Sequence, residues 1–285
     1  MPGQKIHPFL FVLFLTLPLV HSQAGSFAQI PDCECHAVSK PRYRAALRPK
    51  AVKLLEEVQA AFGKSVCIEE VENYKANEHG KACVSKDGTP VIKINPATDD
   101  PERTVVHELF HLKLRANGFA DINYYFPDLQ INKDVLLGID QTFLQTVEHW
   151  MFFPAIRKMG IDPAAHRKAV LRAGEYKTVD RTDLRTLAYR YYDAKLLVDD
   201  TSLVGQLTAW YKANGLTAAM EKGEQLATLV TDSNPKTPED EISTYIKILN
   251  SVPENSAEFQ LDSLREVMLG SFRWHIAIIR IRARR

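Results

Sequence analysis

The sequence has almost no net charge. Its 36 Lys and Arg stand against 35 Asp and Glu, a formal balance of +1. Nothing in the global electrostatics therefore points to nucleic acid or to a strongly acidic partner. Internal repeats and low-complexity tracts are missing, which excludes a repeat array or a long disordered tract. Cysteine is scarce: four in 285 residues, none of them beyond Cys83. Glutamate is absent from residues 112–147.

What is present begins at the N-terminus. Lys5 and the α-amino group precede the apolar run "PFLFVLFLTLPLV" (8–20), and small residues follow in "HSQAGS". Ser22 and Ala24 suit cleavage before Gly25, the layout of a secretory signal peptide over residues 1–24. At 13 residues the run falls short of the roughly 20 that a transmembrane helix needs. No cysteine follows closely enough for a lipid-modified N-terminus. The expectation is an exported protein, secreted or held in the periplasm or cell envelope. A retained apolar run would instead make it membrane-associated.

In an exported chain, Cys33, Cys35, Cys67 and Cys83 favour two disulfides, with three connectivities open. Cys67 and Cys83 sit in neighbouring strand-like segments, which makes a Cys67–Cys83 bridge plausible. The Cys33-x-Cys35 pair beside His36 is the competing metal reading, and it lacks a matching downstream pair.

Residues 25–48 read as an irregular lead-in, and apolar spacing at Val52, Leu54, Leu55, Val58 and Phe62 predicts a helix over 50–63. Short strands follow at 65–73, 81–86 and 90–96, with Asp87-Gly88 as a hairpin turn. A helix then starts at Asp99 or Asp100 with Pro101 in its first turn and Glu102 complementing the dipole, and stops at Asn117-Gly118. Residues 119–133 read as a loop and 134–152 as a second strong helix, which Pro154 kinks or ends. Beyond Gly160 the pattern is mainly helical, at about 163–175, 181–198, 202–214, 216–230 and 238–249, before a strand-like, arginine-rich end. That basic end leaves association with an anionic membrane surface open, although such runs usually form a solvated face.

The helix capped by Asp99 or Asp100 contains "VVHELFHLKL". Residues four apart share a helix face, so His107 and His111 can present imidazoles to one ion. Glu108 is displaced around the helix, unsuited to complete that pair as a ligand but able to reach a metal-bound water as general base. A catalytic zinc site needs a third protein ligand and an open position. The next glutamate after His111 is Glu148, in an apolar stretch where an unpartnered carboxylate is costly to bury. It is the favoured third ligand, with Asp128 and Asp140 behind it. His149, about 100° further round a regular helix, is expected in a supporting or transition-state role. Tyr124 and Tyr125 are further candidates for stabilising an oxyanion.

With "HELFH" followed by a helix-borne glutamate, residues 50–160 resemble the gluzincin branch of the zincin metallopeptidases. The compact spacing, with "EHWMFFPAIRKMG" after the glutamate, is similar to minimal gluzincins and ImmA/IrrE-like peptidase domains. The resemblance implies an α+β fold in which a small sheet, an active-site helix and a glutamate helix form a domain over residues 49–160. A mainly helical region (161–285) follows. It also implies a zinc ion held by His107, His111 and Glu148, Glu108 as base, and a peptide or protein substrate extended along an edge strand drawn from residues 83–94. The chain departs from thermolysin-like members, since Thr146-Val147 precede Glu148, and from metzincins, since Asn117 stands where their third histidine falls. The alternative function is a zincin-like scaffold of the cell envelope that binds without catalysis.

Overall fold

Leu54, Leu55, Val58 and Phe62 are buried in α2 (Pro49–Phe62), as the apolar spacing predicts, while Ala51 is buried with them and Val52 only half-buried. The structure is a computed structural model that describes residues 33–35, 41–71, 79–125, 133–178, 180–252 and 257–283. The apolar run at 8–20, His36 and Asp128 lie outside them, as does the side chain of Asp140. A single turn, α1 (Pro41–Ala45), precedes α2.

The first sheet is built from β1 (Cys67–Glu70), β2 (Gly80–Val84) and β3 (Pro90–Ile94), in the order β1-β3-β2. β1 runs parallel to β3, while β2 is antiparallel to it and forms an edge. The β2–β3 connection turns at Gly88, whose φ of 86° suits glycine. Then comes α3 (Pro101–Ala116), whose register is fixed by its cap: Asp100 accepts the Arg103 N–H at 2.9 Å, with Pro101 in the first turn.

The disulfides join Cys33 to Cys83 and Cys35 to Cys67, with Cα separations of 6.1 and 6.3 Å. This corrects the expected Cys67–Cys83 bridge. Both residues pair with Val91, from opposite sides of β3. They therefore stand two strands apart, about 9–10 Å, beyond the reach of a disulfide. The Cys-x-Cys segment instead ties both outer strands to one strap, and the Cys35–Cys67 bond removes those sulfurs as free thiolates. Two disulfides suit an oxidising, extracellular environment. Among the described residues, no helix is long and apolar enough to cross a membrane.

β4 (Asp121–Tyr125) occupies part of the expected loop, and α4 (Lys133–Lys158) runs through Pro154 to Lys158. Helices α5 (Ala165–Ala173), α6 (Leu184–Leu197), α7 (Thr201–Ala213), α8 (Thr217–Ser233) and α9 (Pro238–Ser251) fall close to the five expected helical stretches. The chain closes with the hairpin of β5 (Ala257–Leu269) and β6 (Phe272–Ala283). A second sheet has the order β4-β6-β5, with β4 parallel to β6. The fold is thus α+β, with two small mixed sheets.

One core joins α2, the first sheet, α3 and the end of α4 with Phe272, Trp274, Ile276 and Ile278 of β6. Phe62 and Phe272 stack with ring centroids 4.1 Å apart. At the hairpin tip, Gly270 lies so close to the Asp87 carbonyl that any side chain there would clash. The C-terminal hairpin therefore braces the β2–β3 turn, while α3 lies between the first sheet and α4.

Candidate metal centre

His107 and His111 project from one face of α3, as their spacing requires, with their Nε2 atoms 3.2 Å apart. A third imidazole arrives from α4: His149 Nε2 lies 3.1 Å from His107 Nε2. His107 and His111 are partly buried, and His149 is buried. All three contact the ring of Phe152, and His149 stacks on Phe153 at 5.1 Å. The three ligand atoms lie within 4.8 Å of one another, so the group can hold a metal ion.

Glu148 approaches the same motif from behind. Its Oε2 is 2.8 Å from His111 Nδ1, the nitrogen turned away from the cluster, and its Oε1 pairs with Arg115 at 2.8 Å. The structure gathers His149, rather than Glu148, with the two motif histidines. The expected carboxylate ligand stands as a hydrogen-bond partner of one imidazole, and the expected supporting histidine stands at the cluster. The reason is helical geometry: consecutive residues on α4 diverge by about 100°. The helix lies so that His111 falls between them.

The electrostatics follow from burial and neighbours. Burial alone would raise the Glu148 carboxyl, but Arg115 and His111 overcome it and hold the group down at about 2. Burial would lower His111, yet the Glu148 hydrogen bond and charge raise it. His107 and His149 are pushed well below the ordinary imidazole value by burial, and by the charges around them. They are therefore neutral and have lone pairs to offer.

Glu108 is buried against the edge strand, where it accepts a hydrogen bond from the Ala82 backbone. Burial raises its carboxyl above the ordinary range, and His111 partly opposes this. Gly80 on β2 makes room: a Cβ there would meet Glu108 Cγ at 3.2 Å and Thr104 Cγ2 at 2.8 Å.

Sequence reasoning missed two supporting pairs. Arg115, one helical turn beyond His111, also pairs with Asp121 at 2.8 Å through Nε. Its spacing was a usable signal. The second pair carried none. Arg167 on α5 is gripped by Asp193 on α6, Nε to Oδ2 at 2.7 Å and Nη2 to Oδ1 at 3.1 Å. Its Nη2 also lies 3.2 Å from His149 Nδ1. Tyr124 and Tyr125 are placed in the second sheet, with the Tyr124 hydroxyl on that of Tyr245 and Tyr125 exposed beside Arg280. A cavity of about 290 Å³ beside α4, lined by Trp150, Met151, Pro154 and Leu196, has no histidine in its wall. No family model, no curated protein and no solved structure matches the chain.

Proposed function

We propose that the chain is an exported zinc-dependent peptidase. The observation that carries this reading is the convergence of three imidazole nitrogens, with the buried carboxyl of Glu108 following His107 on α3 and interacting with the charge of His111. Tetrahedral zinc with bonds of about 2.0–2.1 Å needs ligand nitrogens about 3.3 Å apart. The two Nε2 separations of 3.2 and 3.1 Å suit that requirement. Three imidazole-nitrogen donors form a donor set that zinc hydrolases use. The two disulfides, together with the N-terminal apolar run, support export.

In this reading His107, His111 and His149 hold the ion, which when bound supplies Lewis acidity and a water of lowered pKa. Glu148 fixes the His111 ring by accepting its Nδ1 proton, so that Nε2 faces the site. Glu108 takes the proton of the attacking water and returns it to the leaving amine. The edge strand β2 lies beside Glu108 and offers backbone groups to an extended peptide.

The test is cleavage of a quenched peptide library by the purified mature chain, with and without chelator, followed by zinc add-back. Loss on chelation and recovery on add-back support the proposal. Cleavage that survives chelation, or no cleavage at all by the zinc-loaded protein, refutes it.

A further inference from the structure

His111 and His149 each have a carboxylate–arginine pair behind the ring, but the pairs face in opposite order. Behind His111 the carboxylate of Glu148 touches Nδ1 and the arginine stands beyond it. Behind His149 the guanidinium of Arg167 touches Nδ1, and the carboxylate of Asp193 stands beyond.

The order matters because a neutral imidazole carries one proton. Glu148 accepts from Nδ1–H of His111, so Nε2 is the nitrogen left to face an ion. Arginine only donates. A hydrogen bond from Arg167 Nη2 therefore requires a lone pair on Nδ1 of His149 and puts the proton on Nε2. An imidazole in that form points N–H at the cluster and cannot coordinate through Nε2. For His149 to become a ligand, the Nε2 proton must leave, another must settle on Nδ1, and the Arg167 bond must break. The net proton count is unchanged.

We infer that Arg167 is a positioning residue that opposes metal binding: it holds His149 in the non-ligating tautomer and so sets the affinity of the three-histidine site. Asp193 makes this hold firm, gripping the guanidinium through two nitrogens while it also accepts from Thr146 at 3.1 Å. Arg167 is about a quarter exposed, so on metal binding it has solvent to turn towards. Metal is then retained only where its free concentration outweighs this bond. The inference rests on the zinc reading above and goes beyond it.

Zinc alone is the probe. Equilibrium competition against a chromophoric chelator is measured for the purified mature chain and for Arg167→Gln and Arg167→Leu, with thermal melts recording that each is folded. Gln can turn its carbonyl oxygen to Nδ1–H, and Leu removes the donor. Both variants are expected to bind zinc about tenfold or more tightly, the factor matching one charge-assisted hydrogen bond. Unchanged or weaker binding overturns the inference while leaving the zinc reading intact. No zinc binding by the unaltered chain overturns both. A second measurement needs no variant: ¹H–¹⁵N correlation of the imidazole nitrogens. In the metal-free chain His149 is expected as the Nε2–H form, converting to Nδ1–H on zinc addition. An Nδ1–H form before zinc overturns the inference.

Discussion

His111 and Glu148, 37 residues apart in sequence, meet through Nδ1 and Oε2 at 2.8 Å. The carboxylate is thereby committed to the back of an imidazole, with Arg115 holding its other oxygen. In this arrangement Glu148 would act on a bound metal only through His111.

Glu148→Ala is therefore expected to weaken zinc binding by about 10–100-fold rather than abolish it. The same change leaves buried Arg115 with Asp121 alone, and should cost about 3 kcal/mol of stability. Chelator competition and denaturant unfolding read the two effects separately. Complete loss of zinc with unchanged stability would instead mark Glu148 as a direct ligand.

Glu108→Gln keeps the shape of the side chain and removes its ability to take a proton. Zinc content should be unchanged, while turnover of a cleaved peptide falls by about 10²–10⁴-fold. Metal analysis and kcat on the same preparation check this, and full activity would remove Glu108 from its role.

Glu241 on α9 is wholly buried, and neither carboxyl oxygen has a hydrogen-bond partner among the described residues. Burial, and then the neighbouring Glu148, push its carboxyl well above the ordinary value of 4.5. The folded chain thus keeps a proton that the unfolded chain releases. The resulting stability is fully present below about pH 4.5 and is lost as pH rises towards the folded value. Glu241→Gln should remove that component of the pH dependence and make the protein more stable than the parent at neutral pH. Urea unfolding at several pH values measures it; an unchanged slope would contradict the assignment.

Gly223 sits inside α8, where alanine ordinarily gains about 1 kcal/mol. Here a Cβ would stand 2.6 Å from the Ala188 carbonyl and 2.9 Å from Tyr191 Cβ on α6. Backbone cannot yield cheaply, so overpacking outweighs propensity. Gly223→Ala is expected to destabilise by about 1–3 kcal/mol, read as a lower melting temperature.

Reduction of the disulfides tests the fold around the site. The closed loops span 32 and 50 residues, for which chain entropy gives about 3–4 kcal/mol each. Peptide mapping without reductant should recover Cys33 with Cys83 and Cys35 with Cys67. A Cys67–Cys83 peptide would contradict the sheet order.

Local signals in the sequence were enough for the elements that carry the motif. Asp100, Pro101 and Gly118 bound α3, and spacing alone puts His107 and His111 on one face, because both depend on contacts within a few residues. The first three strands and the five helices after Gly160 were legible for the same reason. β4 and β5 were not. The residues of β4 are half-buried or exposed with no alternation, and its partner β6 lies some 150 residues away. In β5, Leu261, Leu264 and Met268 face solvent, so its apolar residues give a misleading pattern.

The sequence by itself determined a capped helix with two histidines and a carboxylate in mechanistic spacing, and an even set of cysteines. Only the tertiary structure decided that His149 meets the cluster side of those histidines and Glu148 the back of His111. Glu148 and His149 are neighbours in the chain, and a rotation of about 100° sends one to the back of His111 and the other to the imidazole cluster. That rotation is set by how α4 packs on α3. The same holds for the disulfides, whose partners follow from strand order, and for Arg167, which reaches His149 only because α5 and α6 fold back against α4.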